Sequence, residues 1–155
     1  MSVKDDINFE KWVTERTIGN YLMNYFSGTE IIFSEGNVPW DFSFTVNGKN
    51  TVWECKNDKL TAKYPNFFVE VENSKTGKPS GIAASLGIAQ YTVYAVESEN
   101  AYCLFKTQQL YNYALENGQY KQARGDNNSN GYTVPRLPLT GDANLCKVIY
   151  YKING

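Results

Sequence analysis

Strand-like and helix-like segments alternate along this chain, which predicts a mixed α/β (α+β) domain: a central mixed sheet with helices on its faces. Three observations carry that prediction. The N-terminal segment is amphipathic at helical spacing, an Asn47-Gly48 dipeptide separates two alternating runs, and further aromatic or β-branched runs follow between turn residues. With 155 residues the chain is long enough for one full core and short for two, so residues 1–155 are read as a single domain. A hydrophobic share of 42% with twelve tyrosines argues for packing rather than disorder.

Between positions 5 and 26, Phe9, Trp12, Val13, Ile18, Leu22, Tyr25 and Phe26 recur mostly three or four residues apart and predict a helix. Asp5 or Asp6 is its expected cap and Gly28 its expected stop. Residues 30–34 predict a strand and 35–39 a turn, followed by a hairpin over 40–56. A loop over 57–66 leads to a strand at 67–72. Residues 73–79 form a polar turn. Residues 80–89 are small and Ala-rich and predict a helix packed closely on the sheet, with Gly81 and Gly87 working against it. Two strands, 91–96 and 101–105, are joined by a turn. Residues 107–117 predict a helix with Leu110, Tyr111, Ala114 and Leu115 inward, stopped by Gly118; 124–131 is a polar loop and 146–151 a closing strand.

Asn-Gly is the strongest short hairpin signal. If Asn47 and Gly48 form a two-residue loop, Val46 pairs with Lys49 and Asp41 falls opposite Glu54. Alternation then puts Phe42, Phe44, Trp53 and Cys55 on one face and Asp41, Ser43, Val52, Glu54 and Lys56 on the other. A four-residue loop pairs Asp41 with Lys56 and keeps the charges together. A three-residue loop moves Asp41 to the Trp53 face, because a one-residue slip reverses every side chain.

The chain contains no histidine, which removes Ser-His and Cys-His nucleophile pairs, His-metal motifs and histidine bases together. Catalysis would then run on carboxylates, lysine, tyrosine or a metal held by oxygen, and oxygen-only sites suit Mg2+ or Mn2+. Cys55, Cys103 and Cys146 stand singly in apolar segments, as buried reduced thiols do. A net charge of −1 and a pI near 5.5 do not announce a nucleic-acid binder. No apolar run is long enough for a bilayer, and the N-terminus leads into no signal-peptide core, so a cytoplasmic protein without a membrane partner is expected. The Asn127-Asn128-Ser129 sequon carries little weight without a secretory route.

Two carboxylates on one sheet face repel unless a cation joins them. A divalent ion between Asp41 and Glu54 would bind a phosphate oxygen and a water, with Lys56 stabilising charge on the attacked phosphate and the Cys55 backbone carbonyl as a further ligand. The competing reading is an ordinary solvated hairpin face with weak Glu54–Lys56 pairing.

An N-terminal helix with a glutamate, a hairpin with an aspartate and a following Glu54-Cys55-Lys56 strand resemble the PD-(D/E)XK nuclease superfamily, which has the restriction-endonuclease-like fold. The usual Pro-Asp pair is interrupted, since Trp40 separates Pro39 from Asp41. Glu54-Cys55-Lys56-Asn57-Asp58, Asn66-Phe67-Phe68-Val69-Glu70, Gly77-Lys78-Pro79-Ser80-Gly81-Ile82 and the stretch 124–135 resemble, in order, small phage-type nuclease-like proteins of that superfamily. The resemblance implies a magnesium- or manganese-dependent endodeoxyribonuclease, with Asp41 and Glu54 as metal ligands and Lys56 as the catalytic lysine. Glu15 matches the helix glutamate that some resolvase-like members add to the metal site, and it is equally placed to pair with Lys11 or Arg16 at the surface. Glu70 is expected to be a sheet-edge charge. Gln90 and Tyr94 match a Q-x-x-x-Y spacing of exonuclease branches, but on a strand rather than the required helix, and are set aside as chance.

DNA is the expected partner, with Lys59, Lys63, Lys75, Lys78 and Arg124 as loop cations for its phosphates. Ser80 and Gly81, at an expected helix start, would add backbone N–H groups. A homodimer would supply one site per DNA strand. The alternatives are a nuclease-fold module that binds DNA or protein without cutting, and a junction-specific or RNA-directed enzyme with the same chemistry.

Overall fold

The Asn47-Gly48 turn forms as the dipeptide predicts: both residues take positive φ, 52° and 77°, the combination a type I′ hairpin turn requires. The computed structural model describes residues 3–57, 65–124 and 128–151, with side chains from Phe9 onward. Helix α1 (Val3–Tyr25) leads into strand β1 (Thr29–Phe33) and the hairpin strands β2 (Phe42–Val46) and β3 (Lys49–Asn57). Val46 faces Lys49 and the ladder runs to Phe42 opposite Trp53, as the two-residue loop dictates.

Asp5 and Asp6 lie inside α1 rather than at its cap. At its other end the left-handed residue is Ser27, φ 55°, not Gly28. The Gly28 N–H reaches the Met23 carbonyl (2.7 Å) and the Ser27 N–H that of Asn24 (3.1 Å), the paired bonds of a Schellman ending. Gly28 answers a different demand. A Cβ there would stand 2.8 Å from the Phe44 ring, so its bareness lets the chain pass close over the hairpin.

After β4 (Asn66–Asn73) and the one-turn helix α2 (Ile82–Ser85), β5 (Tyr91–Val96) returns beside β3. The remaining elements are β6 (Ala101–Lys106), α3 (Thr107–Asn117), β7 (Gln119–Lys121), β8 (Ser129–Pro135), α4 (Arg136–Thr140) and β9 (Cys146–Tyr150). The main sheet has the order β1-β2-β3-β5-β6-β9, with β3 and β5 parallel and the other neighbours antiparallel. This is the expected mixed α/β architecture. A second, three-stranded sheet, β4-β8-β7, was not expected. Its β7 is exposed and β8 begins Ser-Asn-Gly, so neither advertises a strand; pairing of β8 with β4, distant in sequence, and of β7 with β8 supplies the order that composition lacks.

Two further expectations are corrected. The helix over 80–89 shrinks to α2, because Gly81 (φ 57°) and Gly87 (φ 78°) hold conformations a helix excludes. Leu115 is 46% exposed. It lies roughly 140° around α3 from the buried Leu110 and about 100° from the buried Ala114.

The main sheet is covered on both faces. Ile18 and Leu22 of α1 pack with Phe42, Phe44, Trp53 and Cys55 on one side. On the other, Ile82, Leu110 and Ala114 pack with Phe67 and Val134 of the small sheet, against Tyr94 and Phe105. All three cysteines are buried and free, as expected. Among the described residues no helix is long and apolar enough to cross a membrane.

A candidate metal centre at the end of the hairpin

Strand β2 begins at Phe42, so Asp41 stands one residue before the ladder. Its backbone is held all the same: its N–H bonds the Trp53 carbonyl (2.8 Å) and its carbonyl accepts from Ser34 N–H (2.9 Å). The side chain is held too, because Oδ2 accepts the Cys55 N–H at 2.7 Å. Within a strand the N–H and C=O of one residue point to the same side. The Cys55 carbonyl therefore faces the Asp41 side of β3, while its thiol lies in the α1-side core.

Asp41 and Glu54 are 9% and 8% exposed, which overturns the solvated-face reading. Burial, then the nearby Glu15 charge, pushes the Asp41 carboxyl up from 3.8 to about 6, against the opposing Cys55 hydrogen bond. Burial also raises Glu54; Lys56 opposes this and Asp41 adds to it. Lys56 Nζ lies 3.2 Å from Glu54 Oε1. Burial works to lower the lysine pKa, but the Glu54, Glu70 and Asp41 charges outweigh it, and Lys56 is held above its ordinary value, fully protonated at neutral pH.

Other elements complete the surroundings. Ser85 Oγ lies 3.2 Å from Glu54 Oε2, with the Gly81 carbonyl at 3.1 Å as its alternative acceptor. Glu70, on β4, accepts from Ser129 Oγ (2.8 Å) and contributes its charge to Lys56, so it belongs to the small sheet rather than to a strand beside β3. Gly81 makes this approach possible, since a Cβ there would stand 2.6 Å from Glu70 Cβ.

Glu15 reaches the same region from α1. Lys11 Nζ is 3.7 Å from its Oε1, an ion pair too long for a hydrogen bond. That oxygen is buried and has no hydrogen-bond partner, and the same is true of Asn57 Oδ1 at the end of β3. Glu15 thus forms the expected pair with Lys11, and its charge also reaches Asp41. A cleft of about 580 Å³ opens here, walled by Phe9, Glu10, Lys11, Val13, Thr14 and Glu15 of α1, by Glu54, Cys55, Lys56 and Asn57, and by Glu97.

The expected loop cations that the structure describes do not line this cleft. Lys75, Lys78 and Arg124 are absent from its walls, and Lys59 and Lys63 lie outside the described residues. Among the described residues the cations that line it are Lys11 and Lys56. Ser80 and Gly81 precede only the single turn of α2, too short to gather N–H groups for a phosphate. Gln90 accepts the Val52 N–H and precedes β5, so its spacing to Tyr94 falls on a strand, as expected. Ser85, Glu97 and Asn57 are additions that sequence reasoning missed. Only burial and long-range contact mark them.

Among the described residues no three His, Cys, Asp or Glu side chains form a ready-made metal-binding group. The donor set nevertheless suits a hard cation: carboxylates from α1, the β2 entry and β3, a carbonyl beside them, and two buried oxygens lacking any donor. Comparison with family models, curated proteins and solved structures gives no match to this chain.

Proposed function

We propose that the chain is a metal-dependent deoxyribonuclease of the PD-(D/E)XK type, with a restriction-endonuclease-like fold. The observation that carries this is the buried Asp41 carboxylate, which feels the charges of Glu15 and Lys56 and acts on Glu54, with Lys56 paired to Glu54 and a Glu15 oxygen buried and unbonded. Mg2+ or Mn2+ would be held by Asp41 and Glu54, with Glu15 and the Cys55 carbonyl as further ligands. When bound, the cation supplies charge neutralisation at a phosphate and a more acidic water.

The chain's own residues do the rest. Cys55 N–H fixes the Asp41 carboxylate through one of its oxygens, leaving the other for a ligand. Ser85 orients Glu54, and Glu54 in turn holds the Lys56 ammonium. Lys56 donates to a scissile phosphate oxygen as negative charge builds there. With its pKa pushed up to about 6, Asp41 carries its negative charge at neutral pH and loses it in acid, which favours cation binding near neutrality.

A second reading has its own observation: both Glu54 oxygens already have partners, Lys56 and Ser85, as in a nuclease-fold module that binds DNA without cutting it. Incubation of duplex, single-stranded and branched DNA with Mg2+, Mn2+ or EDTA separates the two. Metal-dependent cleavage that falls at least a hundredfold in Glu54→Ala and Lys56→Ala is expected. Cleavage unchanged by either substitution sinks the site, and binding without cleavage of any substrate favours the module.

A further inference from the structure

Helix α1 stops at Tyr25, and just past its end a second cavity, of about 320 Å³, opens on the face of the main sheet that the helix covers. Four strands supply its floor. Trp53 of β3 stands beside Tyr91 of β5, and Tyr91 beside Lys106 of β6, in one row across the sheet. Leu104, two residues before Lys106, shares its face and is paired in turn with Lys147 of β9. Phe26 closes the α1 side, its ring 6.2 Å from that of Trp53. Leu145 closes another, in a turn built on Asp142: the Asp142 carbonyl accepts the Leu145 and Cys146 N–H groups, each at 3.0 Å, and its Oδ1 accepts the Asn144 N–H at 2.9 Å. Walls tied to sheet and turn in this way are preformed, as small-molecule sites usually are.

The cavity is amphipathic. Three rings and two leucines make its body apolar, while its charged lining residues are Lys106 and Lys147, both exposed. Among the described residues that line it there is no Asp or Glu. Among the described residues, too, no carboxylate pairs with either ammonium; Lys147 Nζ lies instead 5.6 Å from the centre of the Tyr25 ring. An apolar cavity of about 150 Å³ takes up benzene, so one twice that size accommodates a body of about two fused rings. Two ammonium groups without carboxylate partners favour a carboxylate on that body, because charge-assisted hydrogen bonds are the strong ones.

We propose that this cavity binds a small aromatic carboxylate, its rings against Trp53 and Tyr91 and its charge toward Lys106 and Lys147. The site is separate from the Asp41–Glu54 centre and stands or falls independently of the nuclease reading.

Calorimetric titration of the intact protein with 2-naphthoate, neutral 2-naphthamide and cationic 2-naphthylmethylammonium reads the class of ligand directly, with EDTA present so that no metal-bound carboxylate contributes. The naphthoate is expected to bind with a Kd below about one millimolar. It should bind about tenfold more tightly than the amide, and the cation should bind most weakly. Combining Lys106→Met with Lys147→Met, which keeps the apolar stems, should bring the naphthoate down to the amide and leave the amide unchanged. Gln109, exposed on α3, lines the same cavity, and Gln109→Trp should fill it and weaken naphthoate and amide together. All three substituted positions are exposed, so these changes do not threaten the fold. No binding of the naphthoate overturns the proposal, as does equal affinity for naphthoate and amide, or naphthoate binding untouched by Gln109→Trp. A dimer that Gln109→Trp dissociates, seen by sedimentation, also overturns it, because a second copy would then fill the cavity.

Discussion

Strand β3 is exposed at Lys49 and Asn50, and the two ends of its remaining length, Thr51–Trp53 and Glu54–Asn57, are built in opposite ways. At Thr51–Trp53 every polar side-chain atom is matched: Thr51 Oγ1 donates to the Phe44 carbonyl (2.8 Å) and accepts from Trp53 Nε1 (2.9 Å). The Trp53 ring lies 5.6 Å from Phe44 and 4.9 Å from Tyr91. A residue later begins the Glu54–Asn57 segment, where burial raises carboxylate pKa values and leaves Glu15 Oε1 and Asn57 Oδ1 without donors. Burial at the first end stabilises the fold. At the second it costs stability, and such a cost persists where a ligand completes the site.

The sharpest way to expose that contrast is to damage each end in turn. Trp53→Ala should cost the most, about 3–5 kcal/mol in urea unfolding, with the same loss from pH 5 to pH 8, because no charge is involved. A loss that varied steeply with pH would mean the two ends are not independent.

Asp41→Asn should do the reverse. The folded-state pKa of Asp41, about 6, exceeds its ordinary 3.8, so the folded protein binds more protons and loses stability as pH rises from about 4 through 6. Asn keeps an oxygen for the Cys55 N–H and carries no charge. The variant should therefore be more stable than the parent by up to about 3 kcal/mol at pH 8 and equal to it near pH 4. Thermal unfolding across that range checks this, and a variant less stable at pH 8 would break the comparison.

The smallest effect should come from Ser85→Ala, about 1 kcal/mol at neutral pH. The serine hydrogen bond lowers the Glu54 pKa, so its loss moves that pKa further up. The cost should then be greater at pH 8 than at pH 5. A pH-independent cost would show that Ser85 serves only the Gly81 carbonyl.

How much of this was legible in the chain follows from range. Asn47-Gly48 dictates its own turn, and the turn dictates the register that brings Asp41 toward Glu54, since each step involves residues a few positions apart. The boundaries of α3 were equally local. The small sheet was not, because 129–131 has the composition of a loop and becomes a strand only against β4. Leu115 reads as apolar in any window, and the α3 face that meets the sheet leaves it outside.

By itself, then, the sequence determined the hairpin, the alternation that parts Trp53 from Glu54, and, by the absence of histidine, that no site in the chain rests on an imidazole. Only the tertiary structure decided that those charges are buried, that Glu15 and Ser85 reach them from separate helices, and that the loop lysines Lys75 and Lys78 stand apart from the cleft. The reason is physical: turn geometry and side-chain alternation depend on neighbours in the chain, whereas desolvation and charge coupling depend on what other elements bring within a few ångströms.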